Sequence, residues 1–333
     1  MANRIFRFST FLSLIALIFL PIQPAQATNL KIAIVYADGG RGDNGPNDLA
    51  AVGLEKAITK NKLSRLDIRE QITNGTLGDR ITRVRFLAKN NYQLIICIGS
   101  AYADTVKRIS NEFPNTQFAI IDDESVAMTN VSNLSFANKE AFYVAGAALA
   151  LASKSAKISF IADKADLTAS TYLLQFTKGA LSVNPKVKIS NLSIDQNSSD
   201  DIKRLIADGN DQIFSIWSKS DLVISTIAAA NSKTKKVLIS GVIPDQFFLN
   251  FSAGKKNQYL VIKKRYDIAV EQMITAQVAD KNLLDILDET KGIYGHRYNL
   301  KEAGISIALT SGSSLPPKVE AVTSAIKAGK LKP

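Results

Sequence analysis

Cysteine, histidine and tryptophan each occur once in this chain of 333 residues. Cys97 can form no intramolecular disulfide. It sits in the apolar run Leu94-Ile95-Ile96-Cys97-Ile98, where a thiol behaves as a small buried hydrophobe rather than a reactive group. With His296 as the only imidazole, Cys–His or Ser–His–Asp catalysis has a single route, and no G-x-S-x-G motif accompanies it. No Cys/His spacing suits zinc, so neither a metal nor a cofactor is expected. Walker and G-x-G-x-x-G loops are missing, which excludes the usual phosphate cradles. Lysine and arginine outnumber aspartate and glutamate by 41 to 30, for a net charge of +11. The surplus is spread along the chain without interleaved aromatics, so a nucleic-acid partner is not expected. An enzyme is not the expectation either.

What the chain does have begins with its opening. Arg4 and Arg7 precede an apolar run from Phe11 to Leu20 and then Ala25-Gln26-Ala27. A positive start, a core of about ten apolar residues and an A-x-A exit describe a cleavable secretory signal. The run is well short of the roughly 20 residues that span a bilayer. Residues 1–27 are therefore read as a leader cut near Ala27, and the mature chain as periplasmic. No Cys stands near that point, so a lipid anchor is not expected. Removing the leader takes away two arginines and no acid, leaving a charge of +9 that favours anionic surfaces or ligands.

Short β-branched runs then alternate with segments of helical apolar spacing. Strands are expected at Leu30–Tyr36, Leu66–Ile72, Leu94–Ile98, Gln117–Ile121 and Asn130–Phe136. A second series follows at Lys157–Ala162, Val187–Ile194, Gln212–Trp217 and Lys236–Val242. Continuous apolar strands between amphipathic helices indicate parallel sheets covered on both faces. After the second series come a strand at Tyr259–Lys264, a helix at Asp267–Val278 and a strand near Gly304–Leu309. The expected fold is α/β, with two doubly wound parallel-sheet domains joined by several crossovers and separated by a cleft. Residues 28–138 plus 262–290 are assigned to the first lobe, and 139–261 plus 291–333 to the second.

Ligands of open α/β sheets bind beyond the carboxyl ends of the strands. In the glycine-rich loop from Ala37, Asn47 either meets a ligand or caps the next helix. Asp122 ends a strand, where a carboxylate can accept hydroxyl hydrogen bonds; adjacent Asp123 points elsewhere, so the two are not a glycosidase pair. Trp217 ends another strand as either a core residue or an aromatic wall. Tyr172 and Phe176, four apart on a helix, either pack inside or lend one ring to the cleft.

Several segments occur in the order of a known family. They are Asp43-Asn44-Gly45-Pro46-Asn47, Ile98-Gly99-Ser100-Ala101-Tyr102-Ala103-Asp104, Phe118-Ala119-Ile120-Ile121-Asp122, Asn133-Leu134-Ser135-Phe136, Gly241-Val242 with Asp245-Gln246, and Lys264-Arg265-Tyr266-Asp267. From about residue 30 to about residue 310 the chain resembles the basic membrane protein family of ABC-transporter substrate-binding proteins, which includes bacterial purine nucleoside receptors. The resemblance implies the two-lobed type I binding-protein fold. It also implies ligand contacts at Asn47, Asp122 and Lys264, with Tyr172 stacking on a base. The family's first stacking Phe falls on Pro46, an Asp at the first strand end becomes Ala37, and another Asp becomes Ile243. One aromatic wall and one sugar carboxylate are thus absent, and Trp217 is the candidate to replace the wall.

The expected function is a periplasmic solute-binding protein that closes over a small polar solute, a nucleoside being one candidate, and delivers it to an ABC permease. Asp122 would hold hydroxyls, Asn47 a polar edge, Tyr172 and Trp217 the stacking, Lys264 an acceptor near the hinge, and Asp245 a further polar contact. A monomer is expected. The alternatives are a ligand sensor or assembly partner on the same fold and, furthest off, a periplasmic hydrolase working through His296.

Overall fold

Runs of Ile, Val and Leu long enough for one strand apiece, each followed by an amphipathic helix, produce two parallel-dominated sheets. The computed structural model describes residues 30–43, 45–195, 199–217, 220–234, 236–242 and 256–333. The expected leader lies outside the described residues.

The first lobe is built from β1 (Ile32–Val35), α1 (Pro46–Asn61), β2 (Ile68–Gln71), α2 (Leu77–Lys89), β3 (Leu94–Ile98), α3 (Ala103–Glu112), β4 (Gln117–Ile121) and β5 (Val131–Phe136). The chain then enters α4 (Asn138–Ala152), β6 (Lys157–Asp163), α5 (Ala169–Val183), β7 (Lys188–Ile194), α6 (Ser199–Ala207), β8 (Gln212–Ser215), α7 (Ser220–Ala230), β9 (Leu238–Val242) and β10 (Gln258–Lys264). It returns through α8 (Tyr266–Val278), β11 (Asp285–Asp288) and β12 (Ile293–Tyr298), and ends with β13 (Ile305–Leu309) and α9 (Pro317–Lys327). One sheet has the order β11-β12-β5-β4-β3-β1-β2 and the other β13-β10-β9-β8-β6-β7. Among the described residues only β11–β12 and β10–β13 pair antiparallel.

The second return differs from the sequence reading. Residues 291–333 were assigned to the second lobe, yet Gly295, His296, Arg297 and Tyr298 pair in register with Asn133 to Phe136 in the first sheet. The chain therefore crosses for the third time between Tyr298 and Ile305, not near residue 290. Charged and glycine residues in β12 hide this strand from an apolar-run search. Gly295 is required there because a Cβ would land on the Asn133 backbone. Backbone hydrogen bonds tie the three crossings together. Ala137 N–H donates to the Tyr298 carbonyl at 2.8 Å, and Arg265 N–H to that of Gly304 at 3.0 Å.

Alternation along the strands sorts the core. Leu94, Ile96 and Ile98 of β3 join a cluster that runs through both lobes, while Ile95 and Cys97 face α2 and α3 on the other side. Cys97 is fully buried, and burial pushes its thiol far above the usual range. Each such aliphatic side chain contributes about 1.5–3 kcal/mol.

Helix pairs over the sheets come close enough to need glycine. In α4 and α5, a Cβ on Gly146 would strike the Phe176 carbonyl, and one on Gly179 would strike that of Tyr143. Between α1 and the start of α8, Lys56 and Arg265 hold the Asp267 carboxylate at 2.9 Å and 2.7 Å. Burial pushes that carboxyl up, but the hydrogen bonds from Arg265 and Lys56 outweigh it and hold the pKa at about 2.

Replacing Gly179 by Ala is expected to lower stability by about 1–3 kcal/mol, because the helices must part to admit the methyl group. Gly78→Ala, at a position with open space around it, serves as the neutral control in urea denaturation. Equal midpoints for both variants would contradict the close packing.

Candidate ligand-binding site

The first sheet's strand β4 ends at Ile121, and the next residue turns sharply: Asp122 has φ 66°, in the left-handed region. Its N–H donates to the Leu134 carbonyl at 2.7 Å, which fixes the turn against β5. The side chain thereby faces the crossing that leaves β10. Lys264 Nζ donates to both carboxylate oxygens of Asp122, at 2.9 and 2.8 Å, and the Tyr266 hydroxyl donates to Oδ2 at 2.6 Å. Lys264 ends a strand of the second sheet and Tyr266 opens a helix that packs on the first. One carboxylate therefore pins the crossing to the first lobe. The pair retains some exposure, 13% for the lysine side chain and 21% for the aspartate.

Aromatic rings surround this polar centre. Lys264 Nζ lies 5.8 Å from the centre of the Phe136 ring, which itself sits 5.2 Å from Tyr266 and 5.7 Å from Tyr298. Burial, then the Asp122 charge and the hydrogen bond to it, push the Tyr266 hydroxyl well above its usual range, and Tyr172 and Asp43 add to the effect. Those last two come from α5 of the second lobe and the glycine-rich loop of the first, so groups from both lobes converge here. Tyr172 is half-buried, stacked on Phe142 at 4.4 Å, and its hydroxyl accepts from Asn138 Nδ2 at 3.0 Å. Asn138 Oδ1 is buried without a protein partner.

Two of the expected residues thus come together, Asp122 and Lys264, while Tyr172 stacks on Phe142 in the second lobe. Trp217 does not join them. It is 3% exposed and packs with Ile161, Ile213 and Val223 in the outer core of the second sheet, so it is no aromatic wall. Asn47 is 1% exposed and spends its amide inside the loop. Its Oδ1 accepts from Ala37 N–H at 2.9 Å and its Nδ2 donates to the Gly40 carbonyl at 3.0 Å. It braces the loop, while Asp43 accepts from the N–H groups of Gly45 and Asn47 at the start of α1. Neither expected role, ligand edge or helix cap, matches that geometry. Asp245, with Ile243, Ser218 and Lys219, lies outside the described residues. Asp123 turns away to accept from the Ser125 N–H and hydroxyl, and burial pushes its carboxyl up.

Sequence reading missed Tyr266 and Phe136 as members of the site. Both stood in segments that carried the family resemblance, and Tyr266 lies two residues beyond Lys264, but neither bears a charge that draws attention. His296 lies outside the cluster. Asp285 engages its Nδ1 at 2.7 Å and Glu302 its Nε2 at 3.1 Å. Burial works against the charged form, but these hydrogen bonds outweigh it and raise the imidazole pKa. With both nitrogens engaged, the ring is a clamp on the third crossing and has no free nitrogen to serve a nucleophile. Among the described residues no group of three His, Cys, Asp or Glu side chains could hold a metal ion.

Residues 30–315 of the chain match a sequence family described as Bmp, ABC transporter substrate-binding protein PnrA-like. The chain belongs to this family. The nucleoside-binding protein BmpA of an ABC transporter in Lactococcus lactis is 25% identical over 305 residues, covering 86% of this chain and 84% of its own. Basic membrane protein D of Borreliella burgdorferi is 27% identical over 320 residues, covering 93% and 87%. Among solved structures, an ABC-transporter solute-binding protein from Aeropyrum pernix superposes with a TM-score of 0.69 at 15% identity, over 91% of this chain and 92% of that one. The Bmp-family chain thus has the type I periplasmic binding-protein fold. Among its described residues no helix is long and apolar enough to cross a membrane.

Removing the lysine of the cluster leaves a half-buried carboxylate with one donor fewer. Lys264→Met is expected to cost about 1–3 kcal/mol in urea unfolding and Tyr266→Phe about 1 kcal/mol. Wild-type stability in both variants would mean that Asp122 does not hold the crossing.

Proposed function

We propose that this Bmp-family protein captures a small polar solute between its lobes outside the cytoplasm, in the periplasm, and passes it to an ABC permease. A nucleoside is the first candidate. The observation that carries this reading is the Asp122–Lys264–Tyr266 cluster, placed beyond the carboxyl ends of strands from both sheets. Asp122 accepts a solute hydroxyl, Lys264 donates to an acceptor on the same solute, and Tyr172 offers a ring from the second lobe. The solute bridges the lobes and shifts the population toward the closed form. Asp245 is retained as a further polar contact. The first lobe then comprises the segments up to Phe136 and from Tyr266 to Tyr298, with the remainder forming the second.

Trp217, buried in the core, does not replace the family's missing aromatic wall, which favours a solute that needs one ring contact rather than two. The same observation supports the second reading, a ligand sensor that has given up transport.

A thermal-shift screen with inosine, adenosine, guanosine and uridine, followed by calorimetry, tests the reading. A bound nucleoside raises the midpoint by mass action. Asp122→Ala is expected to weaken that nucleoside at least about tenfold, since it removes a charged hydrogen-bond acceptor. Unchanged affinity in the variant would remove Asp122 from the site; no shift with any nucleoside would redirect the search to other polar solutes.

A further inference from the structure

The parallel strands of the second sheet start at the end of the lobe opposite the cleft, and lysines gather there. Lys157 opens β6 and lies in register with Lys188, which opens β7. Lys154 precedes β6, Lys186 precedes β7, and Lys233 with Lys236 precede β9. All but the half-buried Lys157 are exposed. Asp208 and Asp211 are the only acids in these connecting segments. The Asp211 carboxylate is turned inward, accepting from the Ser153 hydroxyl at 2.6 Å and from the N–H groups of Lys154 and Ser155 at 2.7 and 3.0 Å. Lys157 Nζ donates to the Asp208 carbonyl, which leaves its charge uncompensated. The ion pairs Lys164–Asp195, Lys203–Asp200 and Arg204–Asp201 of this lobe lie elsewhere. Among the described residues none of the six lysines is in an ion pair.

The first lobe pairs most of its arginines. Arg41, Arg65, Arg80, Arg83 and Arg85 all face carboxylates. The six lysines thus form a row at one end of the second lobe with no paired carboxylate among the described residues. Strands about 4.8 Å apart spread the lysines at β7, β6 and β9, with β8 lying between β6 and β9, over about 15 Å, the reach of several lipid headgroups. A hollow of about 490 Å³ opens in the middle of the row, lined by Lys154, Gly209, Asn210, Thr234 and Lys236. Asp211, Gln212, Ala152, Val237 and Leu238 complete its lining, so two lysines stand there against one carboxylate.

We propose that this end of the second lobe is a docking face for the anionic headgroups of a phospholipid bilayer. Ammonium groups are compact, strongly hydrated point charges that bind phosphate without demanding fixed geometry. No aromatic side chain stands among the six lysines to stack on bases, so a nucleic acid is not the partner that the face fits. Each lysine near an anionic surface adds to the attraction, and salt screens it within a Debye length. Because the strands run from this face toward the cleft, a docked chain holds its cleft on the side away from the bilayer. The proposal does not depend on which solute the cleft takes.

Co-sedimentation of the chain from Thr28 onward with vesicles tests it. Binding is expected to mixed phosphatidylcholine–phosphatidylglycerol vesicles at low salt, with none to pure phosphatidylcholine and release at about 1 M salt. The combined change Lys154→Gln, Lys188→Gln and Lys236→Gln should weaken it by about a hundredfold. The charge-matched first-lobe change Arg69→Gln, Lys89→Gln and Lys107→Gln should leave most of the binding intact. Equal losses in the two triple variants would reduce the effect to net charge and overturn the face. Binding to neutral vesicles, or binding to soluble polyphosphate with none to anionic vesicles, would overturn the bilayer as its partner. Thermal midpoints of the variants show that each remains folded.

Discussion

A carboxylate placed where two lobes meet must be paired, and its partners decide how those lobes are joined. Asp122 meets this constraint with Lys264 and Tyr266, which flank the crossing between β10 and α8. Desolvating three polar groups is unfavourable unless each finds a partner, so the cluster forms as a unit or not at all. The left-handed turn at Asp122, the packing of Phe136 under the lysine and the placement of Tyr266 at a helix start all serve that arrangement.

In the proposed function the same cluster links architecture to binding. Among the described residues three crossings join the lobes, stitched by backbone hydrogen bonds, with His296 held between Asp285 and Glu302 beside the third. The glycine contacts of α4 with α5, and the Asp267 anchor between α1 and α8, make each lobe stiff. In the proposed closure the lobes move as rigid bodies about these crossings. A solute hydroxyl that reaches Asp122 enters a network already shared by both lobes.

Much of this was legible in the residues. The parallel sheets followed from continuous apolar strands, the burial of Cys97 from its isoleucine neighbours, and Asp122 from its place at a strand end. Three features were not. The strand Ile293–Tyr298 carries Gly, His and Arg, so its hydrophobic pattern is broken and its partner β5 is distant in sequence. Trp217 stands at a strand end, where a wall and a core residue look alike until the packing of α6 and α7 is known. Asn47 hydrogen-bonds back to a loop ten residues earlier, a closure that no local pattern reveals. Each of these is a tertiary choice between locally equivalent options.

The direct test of the central claim, that a solute at Asp122 draws the lobes together, is a distance measured across the cleft. Spin labels on Ser100→Cys and Lys164→Cys sit on exposed loops beyond β3 and β6, and the fully buried native Cys97 does not compete for label. With a nucleoside that binds in calorimetry, the account predicts a shorter and narrower distance distribution in the wild-type background, with no change in Asp122→Ala. A distribution that stays the same on saturation with that nucleoside would contradict it.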